Sequence, residues 1–263
     1  MSITNQRCGD LIGQPSGGWG PNGGWNTAKD FDFTSLGAQT FNANGAYTIG
    51  GSTFTKINTA NEVAPAEMIV GTGIVFQPTQ VTNIYQADRS LPALTLNLLS
   101  IIPNMGPDTM VRVWLWNSAN NASQASQAAA LAIEDPAHKT NYIIKRGYTA
   151  GSTMMYINAT VNGISQGDAI DNSLYPDDVM GLWVPLGVTG GFCFHECGVY
   201  SAGWPVSSGM TVFGSTKYGI GGIQQLNTNF SPANLWDVLI GAHRAGAAGA
   251  FSATLARLRV EYQ

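Results

Sequence analysis

The sequence is poor in charged residues. Asp, Glu, Lys and Arg make up 11% of the 263 residues, whereas about 25% is usual for a soluble domain. A helical bundle or coiled coil would need many more of them at helical spacing. Twelve Lys and Arg stand against sixteen Asp and Glu, and no basic run is longer than Lys145-Arg146. Because phosphate neutralisation needs a basic patch, we exclude a nucleic-acid binder as well as a helical bundle.

Long apolar runs and paired cysteines are also missing. The most apolar stretch, residues 91–102, contains Pro, Thr, Asn and Ser and is well short of the ~20 residues that span a membrane. The N-terminal residues lack the apolar core of a secretory signal. Three cysteines, Cys8, Cys193 and Cys197, do not suggest a disulfide framework. We therefore expect no membrane span, no signal peptide and synthesis in a reducing cytoplasm.

Small uncharged residues and short β-like runs are abundant. Gly, Thr, Asn and Ser form about a third of the chain, and 44% of the residues are hydrophobic, which is enough for a core and excludes wholesale disorder. Residues 46–57 predict a β-hairpin that turns at Gly50-Gly51. Further strands are expected over residues 68–70, 73–76, 110–116, 142–148, 153–161, 179–186, 192–200, 235–240 and 251–262.

Three local patterns refine this outline. Residues 110–116 do not alternate cleanly, which predicts a strand covered on both sides. The alternation of the last strand slips by one near Ala256, which predicts a β-bulge or corner. Residues 124–133 contain good helix formers between possible caps and Pro136, which predicts one short helix. About eleven strands and this helix favour an all-β, two-sheet antiparallel sandwich of the jelly-roll type over residues 31–263.

Residues 1–30 differ from the rest and predict an extended arm. The sequence SGGWGPNGGW repeats a Gly-Gly-Trp unit on either side of Pro21, and its glycines and proline break helices and strands. We expect Trp19 and Trp25 to dock on the chain's own domain or on a neighbouring subunit. A sugar-stacking platform is the functional alternative, because Trp faces suit sugar rings and cations.

Several stretches near the two ends of the predicted sandwich resemble those of a known family. The N-terminal part of the resemblance lies in DFTSLGAQTF from Asp32, NGAYTIGG from Asn44, FTKINTAN from Phe54 and VGTGIV from Val70. The C-terminal part lies in VLIGA from Val238 and GAFSATLARLRV from Gly249, which are similar to the closing strands of laminin-G-like domains. Together these stretches resemble a concanavalin-like or laminin-G-like β-sandwich of tailed-bacteriophage virion proteins. The resemblance implies capsid decoration, a fibre or receptor binding.

The acidic motif of the glycosidases is not found in the sequence. Hydrolytic relatives of this sandwich carry Glu-x-Asp-x-Glu or Glu-x-Asp-x-x-Glu on a strand, and a retaining glycosidase needs two carboxylates about 5.5 Å apart. The nearest acidic neighbours, Glu134-Asp135 and Asp177-Asp178, are adjacent and would face opposite ways on a strand. A phosphate-binding loop of the Gly-x4-Gly-Lys-Ser/Thr kind is missing from the sequence. We expect a protein that is not an enzyme, with a glycosidase as the alternative.

Two groups of residues suit a metal ion. Cys193, His195 and Cys197 alternate along one run, and Cys8 could add a fourth zinc ligand, although core or interface packing is the simpler interpretation. The densest acidic stretch suits Ca²⁺, which some lectins of the resembled fold hold on such a loop, and a solvated acidic loop is the alternative. Its candidate ligands are Asp168, Asp171, Asn172 and Asp178. The expectation is no cofactor, with Ca²⁺ as the alternative.

Aromatic residues in the Gly- and Ser-rich region of residues 163–222 could bind glycans. Tyr175, Trp204 and Tyr218 are the candidates, since sugar recognition combines aromatic stacking with amide hydrogen bonds. Alternatively, Trp183 and Trp204 fill the core of the sandwich.

The leading hypothesis is a structural component of a phage virion, either a capsid decoration or a tail-fibre protein. Its arm would bury Trp19 and Trp25 against other virion proteins or copies of the chain, and a homo-oligomer is expected. A glycan-binding module for attachment to host surface glycans is the second hypothesis. A carbohydrate-cleaving enzyme is the third.

Overall fold

A computed structural model describes most of the chain. The described residues are 24–58, 62–80, 93–102, 104–106, 109–122, 127–135, 140–149, 152–161, 164–171, 179–185, 194–201, 204–212, 236–244 and 250–263. Within them the chain forms nineteen strands and one short 3-10 helix, Leu98–Ser100. No helix in this part of the chain has the length and apolar character to cross a membrane.

The strands follow one another along the chain in this order. They are β1 (Asn26–Asp32), β2 (Gln39–Phe41), β3 (Gly45–Ile49), β4 (Ser52–Ile57), β5 (Glu62–Val63), β6 (Ala66–Ile69), β7 (Gly73–Phe76), β8 (Thr79–Gln80), β9 (Ala93–Asn97), β10 (Met110–Asn120), β11 (Gln127–Asp135), β12 (Thr140–Thr149), β13 (Ser152–Val161), β14 (Ile164–Asp171), β15 (Val179–Pro185), β16 (Phe194–Ser201), β17 (Trp204–Val212), β18 (Asp237–Arg244) and β19 (Ala253–Tyr262).

Two antiparallel sheets form a sandwich. The nine-stranded sheet has the order β17-β16-β15-β10-β19-β7-β6-β2, with β1 also paired to β19. The eight-stranded sheet has the order β14-β13-β12-β11-β18-β9-β4-β3, and β5 and β8 form a separate pair. Buried side chains from both sheets, such as Val113 and Leu258 on one and Leu131 and Ile240 on the other, form one hydrophobic core. The predicted all-β sandwich is therefore confirmed.

The predicted hairpin of residues 46–57 is confirmed. Strands β3 and β4 pair from Gly45–Lys56 to Ile49–Ser52. The two turn residues, Gly50 and Gly51, have φ values of 54° and 74°. Positive φ at both central positions defines the type I′ turn that matches the twist of a hairpin, which is why the sequence has glycine at both.

The slip in the last strand is a β-bulge at Ala256. Trp116 pairs with Arg257 and Asn117 pairs with Leu255, so Ala256 is the extra residue. On the other side of β19, β7 pairs before the bulge and β1 pairs after it. Gly73 packs against the bulge so closely that a Cβ there would lie 2.5 Å from the Leu255 carbonyl oxygen. The bulge thus marks the point where β19 changes its neighbouring strand.

The predicted helix over residues 124–133 is wrong. Residues 127–135 form β11, which pairs with β12 and β18 along its length and is buried at every position. Leu131 and Ile133 belong to the main core, while Ala130 and Ala132 pack with Ile143 on the opposite face. Because both faces are buried, the run shows no polar alternation. Tertiary packing overrides the high helix propensity of its alanines.

Strand β10 is covered on both sides, as residues 110–116 predict. Val111 and Val113 belong to the core, and Arg112 and Trp114 on the other face are also buried. A further difference concerns the N-terminal segment. Strand β1 begins at Asn26, inside the residues assigned to the arm, so residues 26–30 belong to the sheet.

Candidate functional site

Polar and aromatic side chains are buried on the outer face of the nine-stranded sheet, where solvent would be expected. Arg112 and Trp114 lie on β10, and Arg112 is paired in register with Glu261 on β19. The neighbouring residues Val111 and Val260 face the core, so strand alternation places the three side chains on the opposite face. Arg112 is 2% exposed and Glu261 is fully buried.

Glu261 is the centre of the hydrogen bonding in this group. The Arg112 Nε and Nη2 atoms lie 2.7 and 2.6 Å from Glu261 Oε2. Trp114 Nε1 donates to the same oxygen at 3.2 Å, and Arg259 Nε lies 2.7 Å from Oε1. Each carboxylate oxygen of the fully buried Glu261 thus lies within ion-pair distance of an arginine nitrogen.

Trp25 covers the guanidinium of Arg112. The Arg112 Cζ atom lies 4.4 Å from the Trp25 ring centroid and 5.5 Å from that of Trp114, within the range of a cation–π contact. We name Trp25, Arg112, Trp114 and Glu261 the Trp25 anchor. It joins the root of the N-terminal segment to the two central strands of the sheet.

Charged side chains extend the anchor towards β1. Arg257 Nε and Nη2 donate to the two carboxylate oxygens of Asp30 at 2.7 and 2.8 Å. Arg259 lies between the two acids, with Nη1 3.8 Å from Asp30 Oδ2 and Nη2 donating to Thr27 Oγ1 at 2.5 Å. Burial lowers the pKa of the Arg259 guanidinium, and the charges of Glu261 and Asp30 oppose that shift. Strand β1 is thus attached to β19 by ion pairs as well as by backbone hydrogen bonds.

The arrangement is suited to fixing a chain segment in place. Its carboxylates and arginines are paired with one another, and removing one partner of a buried pair would leave the other as an uncompensated buried charge. A stacked ring on a planar guanidinium adds a contact that depends on orientation. The chemistry at this site is therefore recognition and anchoring of the segment that leads into β1.

The two arm residues predicted to bind partners have different outcomes. Trp25 docks on its own domain, which is one of the two surfaces expected for it. Trp19 lies outside the described residues. Binding of either tryptophan to a second subunit stays a prediction. Sequence reasoning found Trp25 through the repeated Gly-Gly-Trp unit but missed Arg112 and Glu261, which are 149 residues apart along the chain.

The four candidate calcium ligands are only partly described. Asp168 and Asp171 lie on β14, paired with Asn158 and Met155, so this part of the expected acidic loop is a strand. Asn172 and Asp178 lie outside the described residues. The described part of the chain contains no group of three or more His, Cys, Asp or Glu that could hold a metal ion.

The candidate zinc and glycan residues stay predictions. His195 and Cys197 lie on β16, with an irregularity of register between Cys197 and Gly198. Trp204 is the first residue of the edge strand β17, and Trp183 lies on β15 in register with Arg112. The remaining members of these groups, Cys8, Cys193, Tyr175 and Tyr218, fall outside the described residues.

A cross-strand pair of acids escaped the sequence motif search. Glu134 on β11 is paired in register with Asp237 on β18, and the Cβ atoms of such partners are typically about 5 Å apart. Asn97 Nδ2 donates to Asp237 Oδ1 at 3.1 Å. Both carboxylates are buried, so a polysaccharide could not reach them in this conformation.

A second feature missed by sequence reasoning is a lysine inside the sandwich. Lys56 is fully buried on β4, between the exposed Thr55 and the partly buried Ile57. Its Nζ donates to Asn58 Oδ1 at 2.7 Å and to the Ile57 carbonyl oxygen at 3.4 Å. Burial lowers the pKa of Lys56 to about 8. Lys56 is two residues after Phe54 on the same strand, so the two side chains point to the same face. This spacing was the sequence signal that could have predicted the burial of Lys56.

No family model and no curated protein sequence matches this chain. Among solved structures, it is similar to Bacteroides ovatus xyloglucan PUL GH43B, with 10% identity and a TM-score of 0.42 over 88% of this chain and 38% of that one. It is also similar to the CBM2 module of the evolved Dit of Lactobacillus casei BL23 phage J-1, with 13% identity and a TM-score of 0.42 over 90% and 95% of the two chains.

A third similar structure is lectin I from Ulex europaeus in complex with the methyl glycoside of α-L-fucose. The identity is 10% and the TM-score is 0.35, with 91% of this chain and 97% of that chain covered. All three similarities are too weak to identify an activity or a ligand for this chain.

Proposed function

We propose that the chain is a non-enzymatic structural component of a phage virion, which binds neighbouring subunits through its N-terminal arm. The Trp25 anchor carries this proposal. From Gly24 onward the segment is held by the β1–β19 ladder and by the stack of Trp25 on Arg112. A rigid root reduces the entropy that the arm loses when it binds a partner.

Two sequence features support the same function. The stretches around Asp32, Asn44 and Val70 resemble virion proteins of tailed phages. In addition, a surface with few charges and many Gly, Asn, Ser and Thr residues allows close contacts between subunits without burying unpaired charge. The partners would be copies of the chain or other virion proteins.

The test compares the full chain with a variant that lacks residues 1–23. This deletion keeps β1 and its ion pairs, so the melting temperature should change little. Binding is measured by co-sedimentation with purified virions of the phage that carries the gene, and self-association is measured by analytical ultracentrifugation. We expect the truncated chain to lose both. Unchanged binding in both assays would refute a role for the arm.

The same preparations distinguish the other two functions. Binding of the full chain to a glycan array that is abolished by Tyr175→Ala or Trp204→Ala would favour a glycan-binding module. Release of reducing ends from host polysaccharide would favour an enzyme. Either result, obtained with an arm deletion that binds virions normally, would replace the proposed function.

A further inference from the structure

Strand β3 forms an edge of the eight-stranded sheet. Among the described strands it is the last of that sheet and pairs only with β4. Ile49 and Ser52 flank the two-residue turn and form a hydrogen-bonded pair, and such pairs alternate with non-bonded pairs along an antiparallel ladder. The backbone N–H and C=O groups of Ala46 and Thr48 therefore point away from β4. Both residues are exposed.

This edge lacks the features that usually protect an edge strand from pairing, which are lysine, proline and β-bulges. The sequence between Asp32 and Lys56 contains no charged residue and no proline. Strands β3 and β4 pair without a register shift. In contrast, β1, which pairs only with β19 among the described strands, carries Lys29 and Asp30 and has a register shift after Thr27. An exposed edge without protection is a template for a further strand.

Hydrogen bonds from side chains fix the segment that leads into β3. The Asn58 N–H donates to Asn44 Oδ1 at 2.7 Å, and Asn58 Nδ2 donates to the Asn42 carbonyl oxygen at 3.1 Å. The Tyr47 hydroxyl donates to the Ala43 carbonyl oxygen at 3.0 Å. Because these bonds hold the edge in one conformation before a partner binds, less entropy is lost on pairing.

We infer that β3 pairs with β3 of a second copy of this chain, antiparallel and about a two-fold axis at Tyr47. This register places Ala46 of each copy opposite Thr48 of the other, so that the outward backbone groups exchange hydrogen bonds. The absence of charge favours a second copy as the partner, since an uncharged strand can lie beside itself. The same symmetry centred on Lys29 or Asp30 of β1 would oppose like charges. The inference goes beyond the arm, because it assigns a second contact surface on the body of the protein.

The contact is weak by itself. An edge of five residues covers far less area than the ~1,200 Å² of a small stable interface. It forms efficiently only where copies are held close together, which the proposed function provides, and it then adds to the binding of the arm. Loss of self-association in dilute solution after removal of residues 1–23 is therefore compatible with this pairing.

The test traps the pairing with cysteines. Full-length Ala46→Cys and Thr48→Cys are mixed in equal amounts at high concentration and oxidised. Opposite Cβ atoms are about 5 Å apart, near the range of a disulfide, whereas like positions are about 7–8 Å apart. The mixture should therefore give on the order of tenfold more disulfide-linked dimer than either variant alone. Peptide mass spectrometry separates a disulfide between positions 46 and 48 from those of the native Cys8, Cys193 and Cys197.

Thr53→Cys and Thr55→Cys form the matched control. Both positions are exposed on β4, in register with Thr48 and Ala46, but one strand further from the edge. Their mixture should give no more dimer than the wild type, and thermal melting checks that all variants are folded. Equal dimer in the two mixtures, or linkage mainly between like positions, would overturn the inference and leave the arm function standing. If the disulfide forms but the arm deletion binds virions normally, the pairing stands and the arm function is wrong.

Discussion

Replacement of Lys56 by methionine should stabilise the protein at neutral pH. The lysine ammonium is fully buried, and its bonds are to the neutral Asn58 side chain and to the Ile57 carbonyl oxygen. Methionine has a similar length and no charge, so it fills the same space in the core. The Asn58 Oδ1 atom would still accept the Ala64 N–H at 3.3 Å, so the substitution leaves no buried acceptor without a donor.

The size of the effect follows from the lowered pKa of Lys56. A change from 10.5 to about 8 corresponds to roughly 3 kcal/mol of penalty on the charged form, at 1.36 kcal/mol per pKa unit. Loss of the hydrogen bond to Asn58 offsets about 1 kcal/mol of that. Lys56→Met should therefore raise the free energy of unfolding at pH 7 by about 2 kcal/mol.

The pH dependence gives a sharper test of the same reasoning. Below pH 8 the lysine is protonated in the folded and the unfolded chain, so the full penalty is present. Between pH 8 and 10.5 the folded chain releases the proton while the unfolded chain keeps it, and the stability of the wild type rises with pH. The advantage of Lys56→Met should therefore shrink by about 2 kcal/mol between pH 7 and pH 9.5.

Urea unfolding followed by tryptophan fluorescence measures these differences. Thr55→Met, at an exposed neighbouring position on β4, adds the same side chain without removing a charge. Its stability curve should run parallel to that of the wild type across the pH range. A Lys56→Met protein less stable than the wild type at pH 7, or an advantage that does not change with pH, would contradict the argument.

Two further pairs of substitutions test the anchor and the bulge. Glu261→Gln should lower the free energy of unfolding by roughly 3 kcal/mol, because it leaves the arginines around it without their carboxylate. Asp30→Asn, at a partly exposed pair, should lower it by about 1 kcal/mol or less. Equal losses for the two variants in urea unfolding would show that burial does not set the difference. Gly73→Ala should lower the free energy of unfolding by about 3 kcal/mol, because φ is 112° and the new Cβ would meet the Leu255 carbonyl oxygen. Gly71→Ala, with a φ of 80° and open space, should cost about 1 kcal/mol, and a similar loss for both glycines would rule out the steric account.

The parts of the fold that are set by residues adjacent in the sequence could be predicted from it. The hairpin turn required two glycines in succession, and the bulge at Ala256 required a change in the parity of one strand. In contrast, the helix predicted over residues 124–133 failed because β11 lies between two strands, and pairing with them outweighs local propensity. Strand β9 gives no such signal, because a run buried on both faces has no alternation to detect.

The candidate site was predictable only in its aromatic part. Repetition of Gly-Gly-Trp indicated Trp25, but no local pattern connects it to Arg112 or connects Arg112 to Glu261. Those contacts arise because β10, β19 and β1 become neighbours only when the chain folds. The same reason explains why the register pairing of Glu134 with Asp237 was not found from acidic motifs.

The antiparallel pairing of β1 with β19 determines how the molecule would respond to mechanical load. Ladder hydrogen bonds lie perpendicular to the strands, so tension applied to residue 24 along the axis of β1 would strain the bonds from Asn26 to Asp32 together, in shear. Tension that separates residue 24 from the adjacent C-terminal Gln263 would instead open the ladder one pair at a time, from Asn26 and Tyr262. A pull along β1, transmitted through the arm to the rest of the sandwich, would therefore meet far greater resistance than a pull that separates residue 24 from Gln263.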